Sequence, residues 1–148
     1  MFQRILIPTD GSVLARKAMK AGIAFAKEAG ASVIGYYAVE TIERLYYAEG
    51  RSVRPASIAA LQKRLNEQGE QFLAEIKKAA KAAGVACETV MTSPATPYQG
   101  IIGTARKEKC DVIFMATHGR GKLASLLLGS VTQKVLVHSR IPVLVYHG

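Results

Sequence analysis

Five short apolar runs recur along the chain, and longer segments with apolar residues at helical spacing separate them. The first, "RILIPT" (4–9), ends at Pro8 and reads as a buried strand. From Ser12 to Glu28, Leu14, Ala15, Ala18, Met19, Ile23 and Ala26 follow a helical period, with Ser12 as N-cap and Gly30 as stop. "ASVIGYYAV" (31–39) is a second strand. Residues 41–54 show no clean period and are expected to form a loop. Pro55 suits the first turn of a long helix whose face carries Ile58, Leu61, Leu65, Phe72, Ile76 and Ala79 and which Gly84 closes. "VACETVMT" (85–92), "DVIFMAT" (111–117) and "IPVLVYH" (141–147) supply three more strands. Helices over 98–109 and 130–139 fall between them, the first weakened by Gly100 and Gly103.

The order βαβαβαβαβ, with strands rich in Val and Ile, implies a parallel sheet covered on both faces. Right-handed crossovers then leave a doubly wound, Rossmann-like α/β fold with strand order 3-2-1-4-5 as the simplest arrangement. The 148 residues, 49% apolar and 21% charged, suit one domain over 1–148 with a sizeable core. No run approaches the ~18 apolar residues of a membrane span. The apolar stretch Ile5–Ile7 is too short for a secretory leader, so a cytoplasmic location and no membrane partner are expected. Cys87 and Cys110 form no CxxC pattern and keep no ligand spacing with His118, His138 or His147; they read as reduced structural thiols.

Net charge is +9 and the isoelectric point about 9.8. The last acidic residue is Asp111; beyond it stand Arg120, Lys122, Lys134 and Arg140, all unopposed in sequence. Phosphate is one natural partner for such a segment, nucleic acid another.

In doubly wound sheets ligands bind beyond the carboxyl ends of the strands, where the winding reverses. Strand order 3-2-1-4-5 places that crevice between the first and fourth strands. The turns "PTDGS" (8–12) and "ATHGRG" (116–121) must then face each other across about 100 residues of sequence. "PTDGS" serves equally as a plain strand-to-helix turn, with Asp10 and Gly11 as turn formers. In the functional reading Thr9 lends a hydroxyl, and Asp10 a carboxylate for ribose hydroxyls or a phosphate-bound magnesium ion. A nucleophilic role for Asp10 is weaker, since no second acid lies nearby in sequence, and no residue set is assigned as catalytic.

Three phosphate-loop patterns can be set against 116–132. "GRGKLA" has neither the spacing nor the final hydroxyl of a Walker A loop. Gly119-Arg120-Gly121-Lys122-Leu123-Ala124 matches GxGxxG/A by letter, but it follows the fourth strand and no acid comes after it, so the match is accidental. The third pattern fits: Ala116-x2-Gly119-x9-Gly129-Ser130. It resembles the nucleotide motif G-x2-G-x9-G-[S/T] of the universal stress protein family. "ILIPTDGS", "CDVIFMATHGRG", "LLLGSVTQKVL" and "IPVLVY" extend the resemblance over the whole chain.

The resemblance implies an adenine-nucleotide pocket, for ATP or AMP, with Mg2+ where it accompanies the nucleotide. The family's P-T-D segment falls on Pro8, Thr9 and Asp10, with Asp10 the residue nearest any nucleotide-bound magnesium. Backbone contacts to adenine fall on Ala38 and Val39, and an apolar neighbour of the nucleotide on Met115. Phosphate and ribose contacts fall on Gly119, Gly129, Ser130, Val131 and Thr132. Elementary physics agrees with these roles. Gly129-Ser130 open a helix whose first N–H groups and dipole favour an anion, Gly119 lacks the Cβ that would keep a phosphate away, and Ser130 can both cap and donate. Arg120 and Lys122 add charge there, or are solvated loop residues. One departure stands out: the family's first glycine is Ala116. If the position needs φ > 0, alanine is strained; if it needs only a small side chain at a strand end, alanine serves, and the intact remainder of the motif favours the latter.

His118 reads as a solvated loop residue, and Tyr36, Tyr37, Tyr46 and Tyr47 as packing or loop residues. The last strand lies at the sheet edge, where Pro142 is tolerated; the resemblance implies a two-fold homodimer through 142–147. The function expected is a nucleotide-dependent sensor or regulator in the stress response, with slow Mg-dependent ATP hydrolysis as the alternative. A basic nucleic-acid binder is less favoured, for want of a recognition motif or aromatic platform.

Overall fold

A computed structural model describes residues 1–50, 54–119 and 128–148. The five apolar runs become β1 (Arg4–Pro8), β2 (Ser32–Ala38), β3 (Cys87–Thr92), β4 (Val112–Ala116) and β5 (Val143–Tyr146). All pair in parallel, in the order β3-β2-β1-β4-β5 expected from the crossover rule. Among the described residues five helices connect or flank them: α1 (Val13–Ala29), α2 (Ile42–Ala48), α3 (Pro55–Ala83), α4 (Pro97–Lys107) and α5 (Ser130–His138).

Alternation along the central strands divides the interior into two cores. Ile5, Ile7, Val33, Val112 and Phe114 face one side and pack with Met19 and Ile23 of α1 and Leu73 and Ile76 of α3. Leu6, Ile34, Tyr36, Ile113 and Met115 face the other and pack with Ile101, Ile102 and Ala105 of α4 and Val135 of α5. Because both faces are covered, Ile5, Leu6 and Ile7 are each 0% exposed, which is why the sequence there is apolar without a break.

Helix ends follow local chemistry. The Ser12 hydroxyl accepts from the Ala15 N–H at 3.1 Å, and Gly30 and Gly84 close α1 and α3 in the left-handed conformation. The expected loop over 41–54 is in part a helix: α2 occupies Ile42–Ala48. Among its described side chains Ile42 is the one buried apolar residue, too few to show a period in the sequence. The helix is instead fixed from outside, by the Gln62 side chain of α3, which accepts from the Ile42 N–H at 2.9 Å and donates to the Glu40 carbonyl at 3.0 Å. No helix among the described residues is long and apolar enough to cross a membrane.

Candidate functional site

β1 and β4 lie side by side in the middle of the sheet. The chain leaving β1 enters α1 on one face, and the chain leaving β4 enters α5 on the other. In doubly wound sheets such a divergence marks the ligand crevice, beyond the carboxyl ends of the two strands.

The turn after β1 is built by short-range bonds. The Thr9 N–H donates to the Tyr36 carbonyl at 2.9 Å, continuing the β1–β2 ladder by one residue. The Gly11 N–H donates to Thr9 Oγ1 at 3.1 Å and the Ser12 N–H to Asp10 Oδ1 at 2.9 Å, so Asp10 also does the turn-forming work read for it. Gly11 adopts φ +76° with the Phe72 ring against its Cα, leaving no place for a side chain.

The turn after β4 is pinned to its helix. The Thr117 N–H donates to the Tyr146 carbonyl at 3.0 Å, and the Thr117 carbonyl accepts from the Gly129 N–H at 2.7 Å. One residue earlier, the Ala116 carbonyl accepts from Thr132 Oγ1 at 3.0 Å. These two bonds set the start of α5 directly beyond the end of β4. Gly129 is the N-cap, with extended backbone (φ −72°, ψ 163°) and no side chain to lend, and no side chain caps this helix. Here the structure corrects the sequence reading: Ser130 is not the cap but the first helical residue, and it is exposed. The first-turn N–H groups of α5 have no intrahelical acceptor, and they carry the positive end of the dipole.

The two turns meet. A Cβ placed on Gly119 would run into the Asp10 carboxylate, striking Oδ2 and coming within 3.4 Å of Cγ. Residues 109 positions apart in sequence thus touch at the mouth of the crevice.

Of the residues singled out from sequence, Pro8 ends β1, and Thr9 and Asp10 are half-buried in the turn that follows. Ala38 ends β2; Val39, 4% exposed, follows it and donates its N–H to the Thr92 carbonyl at 2.8 Å. Met115 is buried, in the core shared with α4 and α5, and Val131 is half-buried against that same core. Ala116 ends β4 and is not among the residues with positive φ, where Lys109 is the one non-glycine described. Thr132 is 2% exposed, its hydroxyl turned to Ala116. Arg120 and Lys122 lie outside the described residues. The sequence reading passed over Thr117, whose backbone bonds both Tyr146 and Gly129; its place between strand end and first glycine was the available sign. Among the described residues no three His, Cys, Asp or Glu side chains gather as a metal cage.

The sequence profile of the universal stress protein family matches residues 1–147. The chain belongs to the universal stress protein family. Universal stress protein MJ0531 of Methanocaldococcus jannaschii is 36% identical over 146 residues, 98% of this chain and 82% of the relative. Universal stress protein MJ0577 of the same organism is 30% identical over 156 residues, covering 98% and 94%. The solved structure of MJ0577 superposes with a TM-score of 0.81 over 98% of this chain and 95% of its own. A universal stress protein solved in complex with cAMP shares the fold at a TM-score of 0.71, with 24% identity over 99% of this chain and 97% of that one.

Proposed function

We propose that this universal stress protein binds an adenine nucleotide, ATP or AMP, in the crevice between β1 and β4, and that it works as a nucleotide-dependent regulator in the stress response. One observation carries the reading: the turns after β1 and β4 meet, Gly119 against Asp10, beside a helix start that no side chain caps. A helix N-terminus whose first N–H groups meet no side-chain acceptor favours an anion, and the spacing Ala116-x2-Gly119-x9-Gly129-Ser130 spans these parts. The phosphates lie at Gly129, Ser130, Val131 and Thr132, with Arg120 adding charge. Ribose lies toward Thr9 and Asp10, and adenine toward Pro8, Ala38, Val39 and Met115. That a protein of the same fold was solved with cAMP supports an adenine ligand.

The Asp10 carboxylate beside Gly119 is the observation that keeps slow hydrolysis as the second reading, since magnesium accompanying ATP would find its carboxylate there. We place the protein in the cytoplasm, as a homodimer through the edge strand β5, all four residues of which are half-buried. Mass spectrometry of small molecules released from natively purified protein, followed by calorimetric titration with ATP and AMP, tests the reading. Replacing Gly129 and Ser130 together by Ala should weaken binding by about tenfold or more, because phosphate contacts are charge-assisted. Full affinity in that variant would put the phosphates elsewhere.

A further inference from the structure

At the end of the sheet opposite the crevice, α4, α5 and the segment entering β5 line a half-open cavity of about 490 Å3. Its lining is Ile102 and Arg106 of α4, His138 at the end of α5, and Arg140 and Ile141. Ile102 is buried and Ile141 half-buried, so the floor is apolar; both arginines and His138 are exposed above it. The His138 ring stacks on Tyr98 at 5.2 Å and 28°, and Lys134 places its ammonium 5.6 Å from the centre of the Tyr98 ring.

The charge is what calls for explanation. Neither Arg106 nor Arg140 forms an ion pair among the described residues, and no carboxylate lines the cavity. The nearest acids in sequence are occupied: Glu108 pairs with Arg4 at 3.6 Å, and Asp111 accepts the Gln3 and Arg4 N–H groups at 2.8 and 3.1 Å. Helix dipoles account for a base in the last turn of α4 and of α5, but each supplies only about half a negative charge. They leave Arg140, which follows α5, without a counter-charge.

We propose that this cavity is a second ligand site that takes a small organic polyanion, its carboxylate or phosphate groups held by Arg106 and Arg140 and its carbon skeleton laid on Ile102 and Ile141. Guanidinium groups bind such anions through paired N–H donors. The volume suits a metabolite-sized molecule, since ligand pockets run to roughly 300–1,000 Å3. The proposal does not depend on what occupies the crevice between β1 and β4.

Citrate is the probe, followed by the His138 ring-proton resonances and by calorimetry, with inorganic phosphate alongside to separate a carboxylate preference from a phosphate preference. Saturable binding at one site is expected, weakened by about tenfold in Arg106→Gln and again in Arg140→Gln, the loss of one charge-assisted contact each. Both side chains are exposed, so the free variants should melt with the wild type. Ser130→Ala should bind citrate as the wild type does. Four results would overturn the proposal: equal affinity in the double variant, the same resonance shifts from potassium chloride at matched ionic strength, loss of citrate binding in Ser130→Ala, or tighter binding of a polyglutamate peptide, which would make the face a protein-docking surface.

Discussion

Gly119→Ala is the substitution that bears most directly on the seam. The new methyl would occupy space held by the Asp10 carboxylate. Gly119 is not in the positive-φ region, so backbone strain does not enter and the cost is steric. Asp10 cannot swing away freely, because Oδ1 holds the Ser12 N–H at 2.9 Å. Relief therefore means giving up a hydrogen bond to a charged acceptor, worth about 1–2 kcal/mol at a half-buried turn. For a chain of this size that is a fall in Tm of about 3–6 °C.

The sharper form of the experiment is a double-mutant cycle. In an Asp10→Ala background the obstacle is gone and the Ser12 bond is already lost. Gly119→Ala should then be neutral or raise stability by about 0.5 kcal/mol, since alanine restricts the unfolded chain more than glycine does. The four proteins, followed by urea denaturation, should give a coupling energy above about 1 kcal/mol, the range found for residues in contact. The same cycle read by ATP titration reports whether the contact matters to ligand binding. If Gly119→Ala costs the same with and without the Asp10 carboxylate, the turns do not touch in solution and the crevice geometry is wrong.

Two further predictions concern titratable groups. Arg16 grips Glu75 through two bonds, at 2.9 and 3.2 Å, and hydrogen bonding to this guanidinium holds the Glu75 carboxyl below its ordinary value of 4.5. A carboxyl lowered on folding adds stability above its unfolded pKa and loses it as pH falls through the folded one. The urea-midpoint difference between wild type and Glu75→Gln should therefore shrink as pH drops from 6 toward 3; a difference that stays constant would deny the pair any electrostatic role. Burial pushes the Cys110 thiol up to about 11, and it raises Cys87 as well. At pH 8 a disulfide reagent should leave Cys110 unmodified in the folded protein and titrate both thiols after unfolding; rapid reaction of two thiols in the native state would contradict the burial.

Most of the fold was legible because each strand signal was local. Ile5–Ile7 and Val112–Met115 are unbroken apolar runs, and Ser12, Gly30, Pro55 and Gly84 mark helix ends by chemistry that needs no tertiary partner. What escaped was set by neighbours. α2 depends on Gln62, 20 residues away, and carries no pattern of its own. The face of α3 was read as including Ile58, Leu61, Leu65 and Ala79, which are half-buried, whereas Leu73 and Ala80 reach the core. Spacing locates a stripe, but the strands that α3 meets decide which residues of it go deepest. At the site, the motif spacing singled out two turns that the structure brings into contact. The choice of Gly129 over Ser130 as cap, and the contact of Gly119 with Asp10, depend on how far each turn projects beyond its strand.

Ala116 shows how this geometry bears on a departure from the family pattern. At this position the chain is still strand, paired with Tyr146 of β5, and its backbone is of a kind any residue adopts. What the position supplies to the crevice is its carbonyl, which accepts from Thr132 and so fixes the start of α5. Every residue has that carbonyl; what 116 must avoid is bulk, because it is 9% exposed where strand end and helix start converge. Alanine satisfies both conditions. The constraint that a glycine pattern suggests at 116 therefore rests physically on Thr132, whose hydroxyl cannot be replaced by a methyl of the same shape without leaving the Ala116 carbonyl buried and one partner short.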